Sequence, residues 1–246
     1  MPDEPTSVEE ERLSTLEAEL ADDLAQKGVT VWYASYGSNL LQERFDCYLF
    51  GGKVQGMSRV SHGARDATPA RESAVLRKPY RVFFAHARES HWGFGGAAML
   101  DLTPTHPSET LIRLYKVTLQ QFNDIVAQEN GLIPPLRREH RLKCDDLAKL
   151  REGEAGSLSV QFKGGRNYYP AVAYLGEHMD VPILTFTCLQ EDVSEFLSGA
   201  LSAAPPAKNY LNVLMDGVQN LPEVEVDGDA YWKERIQWQF GETLSN

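Results

Sequence analysis

The residues best suited to chemistry lie far apart in the chain. Gly37-Ser38-Asn39 is a small-residue turn between the apolar run Val31-Trp32-Tyr33-Ala34-Ser35-Tyr36 and the helically spaced Leu40-Leu41-x-x-Arg44-Phe45-x-x-Tyr48-Leu49. A strand feeding a helix through such a turn leaves backbone N–H groups aimed at one point, which suits a carboxylate or an oxyanion. The same turn also serves as a plain connection with no ligand. Glu129 is the second candidate. Leu119, Phe122, Ile125 and Val126 share a helical face, and three or four residues further that face reaches Glu129. A carboxylate there loses hydration and meets the negative pole of the helix dipole, so its pKa is expected to rise. The other reading leaves Glu129 at the rim of the stripe, in water or paired with Arg137 or Arg138. Tyr210 follows Pro205-Pro206, where a tyrosine is otherwise a packing residue with one wet end.

The elements that must position these groups are legible in outline. Residues 31–36 read as a strand, and the helix after the turn takes Asn39 as N-cap with Gln42 three residues on, then stops at Gly51-Gly52. Residues 61–73 form a polar loop whose Arg65-Asp66 and Arg71-Glu72 are expected to be solvated or locally paired. Strands are expected over 80–86, 97–102, 111–117, 170–175 and 182–188. Thr118 with Gln121 makes a capping box, Val117 can staple onto Phe122, and Asn130-Gly131 with Pro134-Pro135 ends the Glu129 helix. Residues 190–202 read as an added helix. Leu211, Leu214 and Met215 continue a helix from Tyr210 to Gly217, and Tyr231-Trp232, Ile236 and Trp238 to Phe240 fit an amphipathic cap.

Residues 1–28 stand apart as an acidic N-terminal extension, with residues 29–246 as the main domain and a C-terminal helical addition. Nine acidic side chains against Arg12 and Lys27 leave −7 in this segment, most of the chain's −11. Leu13, Leu16, Leu20 and Leu24 fall on one helical face, with Thr6 or Ser7 as N-cap and Gly28 as stop. The face is expected to pack on the main domain; a partner-binding or homodimerising face is the sharper reading.

Several chemistries are poorly served. The acidic balance, with no basic cluster, argues against nucleic acid. Six scattered His form no metal pattern, no Gly-x-Ser-x-Gly elbow occurs, and no Lys follows the glycine turn. Gly93 to Ala98 matches a dinucleotide fingerprint on paper. A strand and then Thr103-Pro104-Thr105-His106-Pro107 follow it, however, with no helix to receive a pyrophosphate. It reads as a glycine-thinned strand that another backbone or a ligand passes closely. No metal or nucleotide cofactor is expected. Cys47, Cys144 and Cys188 are unpaired by spacing and suit a reducing compartment. Without a spanning segment or a basic signal peptide, the expected location is cytoplasmic and off the membrane.

Three ordered blocks resemble the γ-glutamylcyclotransferases: Tyr36-Gly37-Ser38-Asn39-Leu40, Gln128-Glu129-Asn130-Gly131, and Pro205-Pro206 followed by Tyr210. The run Trp92-Gly93-Phe94-Gly95-Gly96 is also similar to that family. The resemblance spans Trp32 to Gly217; Ser35, where the family usually has Ala, is a departure. It implies an α+β fold, a small mixed β-barrel-like core of five to seven strands with helices around it. It also implies cofactor-independent cyclisation of a γ-glutamyl group to 5-oxoproline, a lyase or transferase step of the kind used in glutathione metabolism. In that reading Glu129 is the acid/base catalyst, and Tyr36, Gly37, Ser38, Asn39, Leu40 and Tyr210 bind a small γ-glutamyl substrate. Narrower readings are a cyclotransferase acting on a γ-glutamylated natural product or γ-glutamyl amine, and a non-catalytic ligand-binding member.

Overall fold

The structure, a computed structural model, describes residues 7–104, 109–162 and 168–240 of the 246. At its centre is β1 (Thr30–Ser35), whose β-branched and aromatic side chains are buried from Val31 onward. It pairs antiparallel with β5 (Thr110–Thr118) and parallel with β8 (Val181–Thr187). β2 (Ser73–Lys78) lies outside β5, and β7 (Ala171–His178) and β6 (Leu158–Val160) lie outside β8, giving the mixed order β2-β5-β1-β8-β7-β6. β3 (Arg81–Ser90) and β4 (Gly93–Asp101) form a separate antiparallel hairpin. The fold is α+β with a mixed sheet, as the sequence implied. Its main ladder is an open one, with β2 and β6 at the edges, rather than a closed ring of hydrogen bonds among the described residues.

Alternate side chains of β1 serve two cores, as the period of two requires. Val31 and Tyr33 join α2 (Gln42–Phe50) and α3 (Leu119–Glu129) on one side. Trp32 and Ala34 join α6 (Lys208–Gln219) and α7 (Gly228–Phe240) on the other. Tyr231, Trp232 and Ile236 of α7 are buried, as a cap over the core should be; the side chain of Trp238 lies outside the description.

α3 is the element that fixes the site. Thr118 caps it, accepting from the Gln121 N–H at 3.1 Å while the Gln121 side chain accepts from the Thr118 N–H at 3.0 Å. Its polar positions are buried along with its apolar stripe. Asn123 is held by Gln26 and the Leu142 carbonyl, and Asp124 by an ion pair with Arg65 at 3.0 Å. Contrary to the expectation for its loop, Arg65 is therefore neither merely solvated nor locally paired, but ties that loop to α3 and to Asp23 of the N-terminal helix. α4 (Cys144–Glu152) and the short β6 have no counterpart in the sequence reading; α5 (Gln190–Ser198) is the expected added helix, shorter by one turn.

α1 (Ser7–Gly28) corrects one expectation. Its leucines do not pack on the domain: Leu13, Leu16, Leu20 and Leu24 are 55–62% exposed. The helix docks through its polar face instead. Asp23 pairs with Arg65 at 3.0 Å and Arg141 at 2.9 Å, and buried Gln26 accepts from Asn123 at 2.9 Å. Half-buried ion pairs and one buried amide bond outweigh a leucine stripe that meets no complementary groove. The proposed Thr6 cap lies outside the described residues, as do residues 105–107.

The glycine run of β4 behaves as the sequence suggested. A Cβ on Gly96 would sit 2.1 Å from the Ala204 carbonyl oxygen, and one on Gly95 would sit 2.4 Å from the Ala207 nitrogen. The segment that leads into α6 crosses there, tied by a Gly96 N–H to Pro205 carbonyl bond of 2.9 Å. Among the described residues no helix is long and apolar enough to cross a membrane, and the three cysteines are free thiols.

Candidate active site

A cavity of about 360 Å³ opens at the carboxyl end of β1. Its walls are the turn after β1, the end of α3, the β3–β4 hairpin, Tyr168-Tyr169 and the start of α6. The carboxyl end of a parallel strand pair, here β1 and β8, is where open α/β sheets place ligands.

Residues 38–40 form one 3-10 turn, with Leu40 N–H on the Gly37 carbonyl at 3.0 Å and Leu41 N–H on Ser38 at 3.1 Å. α2 therefore starts two residues later than expected, with Leu41 rather than Asn39 in the N-cap position. Gln42 does not close a capping box; its side chain accepts from Arg113 at 2.7 Å. The freed Asn39 amide turns inward and donates to the Tyr33 hydroxyl at 2.8 Å and to Glu129 Oε1 at 2.9 Å. Gly37 has an ordinary negative φ, so glycine serves space here: a Cβ would lie 3.2 Å from the Tyr210 hydroxyl.

Glu129 is the last residue of α3, half-buried, and its open side faces the cavity. Neither Arg137 nor Arg138 pairs with it; Asn39 bonds to it at 2.9 Å and the Tyr48 hydroxyl stands beside it. Burial raises its pKa, opposed by the Arg44 guanidinium, the Tyr48 hydroxyl and the Asn39 amide. Tyr33, Tyr48, Tyr169 and Tyr210 stand around it, each pushed up by burial and so neutral. Tyr36 lines the cavity but spends its proton on the Phe186 carbonyl at 2.9 Å. Tyr210 lines it too, stacked on Trp92 with ring centroids 5.8 Å apart.

Of the seven residues expected at the site, six line this one cavity: Tyr36, Gly37, Ser38, Asn39, Glu129 and Tyr210. Leu40 does not. It is fully buried against Gly217 and its N–H is already used, because the turn closes on itself. Among the described residues, three that line the cavity carry a buried polar atom without a hydrogen-bond partner: Ser35 Oγ, Asn39 Oδ1 and His91 Nε2. Burial and the nearby Arg44 and Arg59 lower His91 to about 3, so it is neutral at physiological pH. Buried polar groups without partners are costly. Among the described residues no three His, Cys, Asp or Glu side chains converge as metal ligands.

No family model matches the chain. Histone deacetylase 5 of Arabidopsis thaliana is 37% identical over 217 residues, which is 87% of this chain and 30% of that protein. The chain thus spans less than a third of the length of that curated relative. A solved gamma-glutamyl cyclotransferase is 14% identical, with 84% of this chain and 86% of its own covered at a TM-score of 0.43. An uncharacterised protein from Homo sapiens is 13% identical, with 88% and 92% covered, also at 0.43.

The sequence reading missed Tyr33, Arg44, Tyr48, Tyr169 and His91. Tyr33 carries a signal, since it lies on the face of β1 that α3 must cover. Arg44 and Tyr48 also carry one: a cation and a phenol four residues apart inside an apolar helical repeat. Tyr169 carries none, because it is placed by a pair of bonds from Asn130, 3.0 Å to its N–H and 3.1 Å to its carbonyl.

Proposed function

We propose that this cavity cyclises a γ-glutamyl group. The α-amine attacks its own γ-carbonyl, and 5-oxoproline leaves together with the amine or amino acid that had been amide-linked. The observation that carries the reading is the direct bond between Asn39 of the glycine turn and Glu129 of α3, across 90 residues of chain. It joins an anion-binding turn to a carboxylate with a raised pKa inside one cavity of substrate size. The three motif blocks that resemble γ-glutamylcyclotransferases support it.

In this reading the backbone of Gly37 to Asn39 holds the α-carboxylate or the developing oxyanion. Tyr210 orients one end of the substrate. Glu129 takes a proton from the α-ammonium and returns one to the leaving nitrogen. An ordinary carboxylate near 4.3 facing an amine near 8 is about 5 kcal/mol uphill, and the burial of Glu129 narrows that gap. Ring closure is tethered, so a site that holds the bent conformer supplies most of what proximity can give. A reducing compartment such as the cytoplasm is the proposed location, supported by three free thiols. The name of the Arabidopsis relative speaks of deacetylation by that protein, and no feature of this cavity favours that chemistry.

The test is 5-oxoproline release by the purified protein from a panel of γ-glutamyl dipeptides, γ-glutamyl amines and glutathione. Turnover on at least one class supports the reading. Saturable binding across the panel without any release would overturn it in favour of a ligand-binding role.

A further inference from the structure

Arg44 is 1% exposed, and a guanidinium buried that deeply needs a counter-charge. Among the described residues no carboxylate pairs with it directly. Its Nη1 donates to Ser61 Oγ at 3.1 Å, its Nη2 donates to the Tyr48 hydroxyl, and its Nε has no partner. Tyr48, one turn later on α2 and also 1% exposed, carries the guanidinium carbon 3.9 Å above its ring centroid. A phenol oxygen that accepts from a cation has its own proton free for an acceptor, and Glu129 is the carboxylate beside Tyr48. The groups thus form a line: guanidinium, phenol, carboxylate.

Arg59, Arg88 and Glu89 also line the cavity, but Arg44 is the charged group that acts on Glu129, and neutral groups from four elements surround the carboxylate. Tyr33 comes from β1, Tyr169 from the segment before β7, Tyr210 from α6 and Asn39 from the turn. His91 of the hairpin, beside Arg44, is neutral. We propose that Arg44, acting through Tyr48, is the positioning residue that supplies the counter-charge to Glu129 and keeps it aimed into the cavity. A direct salt bridge would occupy the lone pairs a base needs. A phenol placed between the two charges preserves much of their attraction and leaves the carboxylate open on its cavity side.

The catalytic consequence rests on the cyclisation reading; the electrostatic one does not, and the test separates them. The measurement is a carboxyl-carbon NMR titration of Glu129, assigned by its loss in Glu129→Gln, in the wild type, Arg44→Met, Arg44→Lys and Tyr48→Phe. Arg44→Met is expected to raise the Glu129 midpoint by about one unit or more, the usual effect of losing a nearby opposite charge. Tyr48→Phe should raise it less, and Arg44→Lys should restore most of it. Where the protein turns over substrate, the acid limb of the kcat profile should move up by the same amount, with the high-pH plateau retained. An unmoved midpoint in Arg44→Met overturns the proposal whatever the turnover. A wild type without turnover overturns the cyclisation reading and leaves the titration to judge this one. Should Arg44→Met fail to fold alone, thermal melts of Arg44→Met in the Glu129→Gln background decide. A smaller loss there than in the wild type supports the coupling, and equal losses refute it.

Discussion

Glu129→Gln separates a chemical carboxylate from a structural one, and the structure sets both magnitudes. On the chemical side, glutamine cannot accept the amine proton. Turnover should fall by roughly 100-fold to 10,000-fold, about 3–5 kcal/mol of transition-state stabilisation. On the stability side, the carboxylate accepts from Asn39 and stands beside the Tyr48 hydroxyl, and an amide oxygen in its place can serve one of these donors fully. The loss of one such bond is about 1 kcal/mol. The linkage works the other way. Because the folded-state pKa of Glu129 is raised, its ionised form costs stability above the unfolded pKa, and that cost is absent below it. Glutamine never bears this cost. The melting temperature of the variant relative to wild type should therefore rise between mildly acidic and neutral pH. At about 2–4 °C per kcal/mol for a chain of this size, the two should differ by no more than about 4 °C at neutral pH. The assay pairs initial rates of 5-oxoproline release with melts on the same preparation, at several pH values. A folded variant with near wild-type turnover would falsify the assignment of Glu129 as base. A melt lowered by 10 °C or more would show that its charge holds the fold together.

Gly96→Ala drives a methyl into the Ala204 carbonyl, 2.1 Å away, so the crossing before α6 must shift. Melts should show a loss of about 1–3 kcal/mol, and turnover should fall further than folding because Tyr210 moves with that segment. Replacing Leu13, Leu16, Leu20 and Leu24 together by Gln should cost no more than about 0.5 kcal/mol per site, since all four are exposed; a steep loss by denaturant titration would mean that they pack somewhere. Asp23→Ala removes the pairs to Arg65 and Arg141, at a cost of about 1 kcal/mol, and should speed hydrogen exchange in the last turns of α1 ahead of the rest of the chain.

Legibility followed the range of the interaction. The Glu129 helix was readable to its cap because a capping box, an apolar stripe and a glycine stop are all local. The glycine run of β4 was readable for a similar reason: residues without side chains mark a close approach even when the approaching segment is unknown. The leucine face of α1 was readable as a face and misleading as a contact. Periodicity names the apolar side of a helix, but three polar groups 40 to 120 residues away decided which side docks. Asn39 was assigned to a cap because a turn asparagine before a helical repeat nearly always is one. The 3-10 turn delays α2 just enough to spare its amide for Glu129.

The same logic explains why Arg44 was not counted among the site residues. Within Leu40-Leu41-x-x-Arg44-Phe45-x-x-Tyr48-Leu49 its spacing already placed it on the buried side, next to Phe45. A local reading discounts such a residue, since an arginine can extend its charge to water past an apolar neighbour. Here it cannot, because Tyr48, Trp92 and the loop at Ser61 close over it. Its burial depends on the hairpin and the loop together, and neither lies within a window around residue 44. A cation enclosed in this way is costly unless an anion shares the space. The anion came from the far end of α3, where the dipole and the loss of water both disfavoured it. Each charge is unfavourable in its own local sequence and tolerable in the presence of the other. That mutual dependence is a reason to look for function in the pair, because hydrophobic residues of similar volume would fill both positions at no cost to the fold.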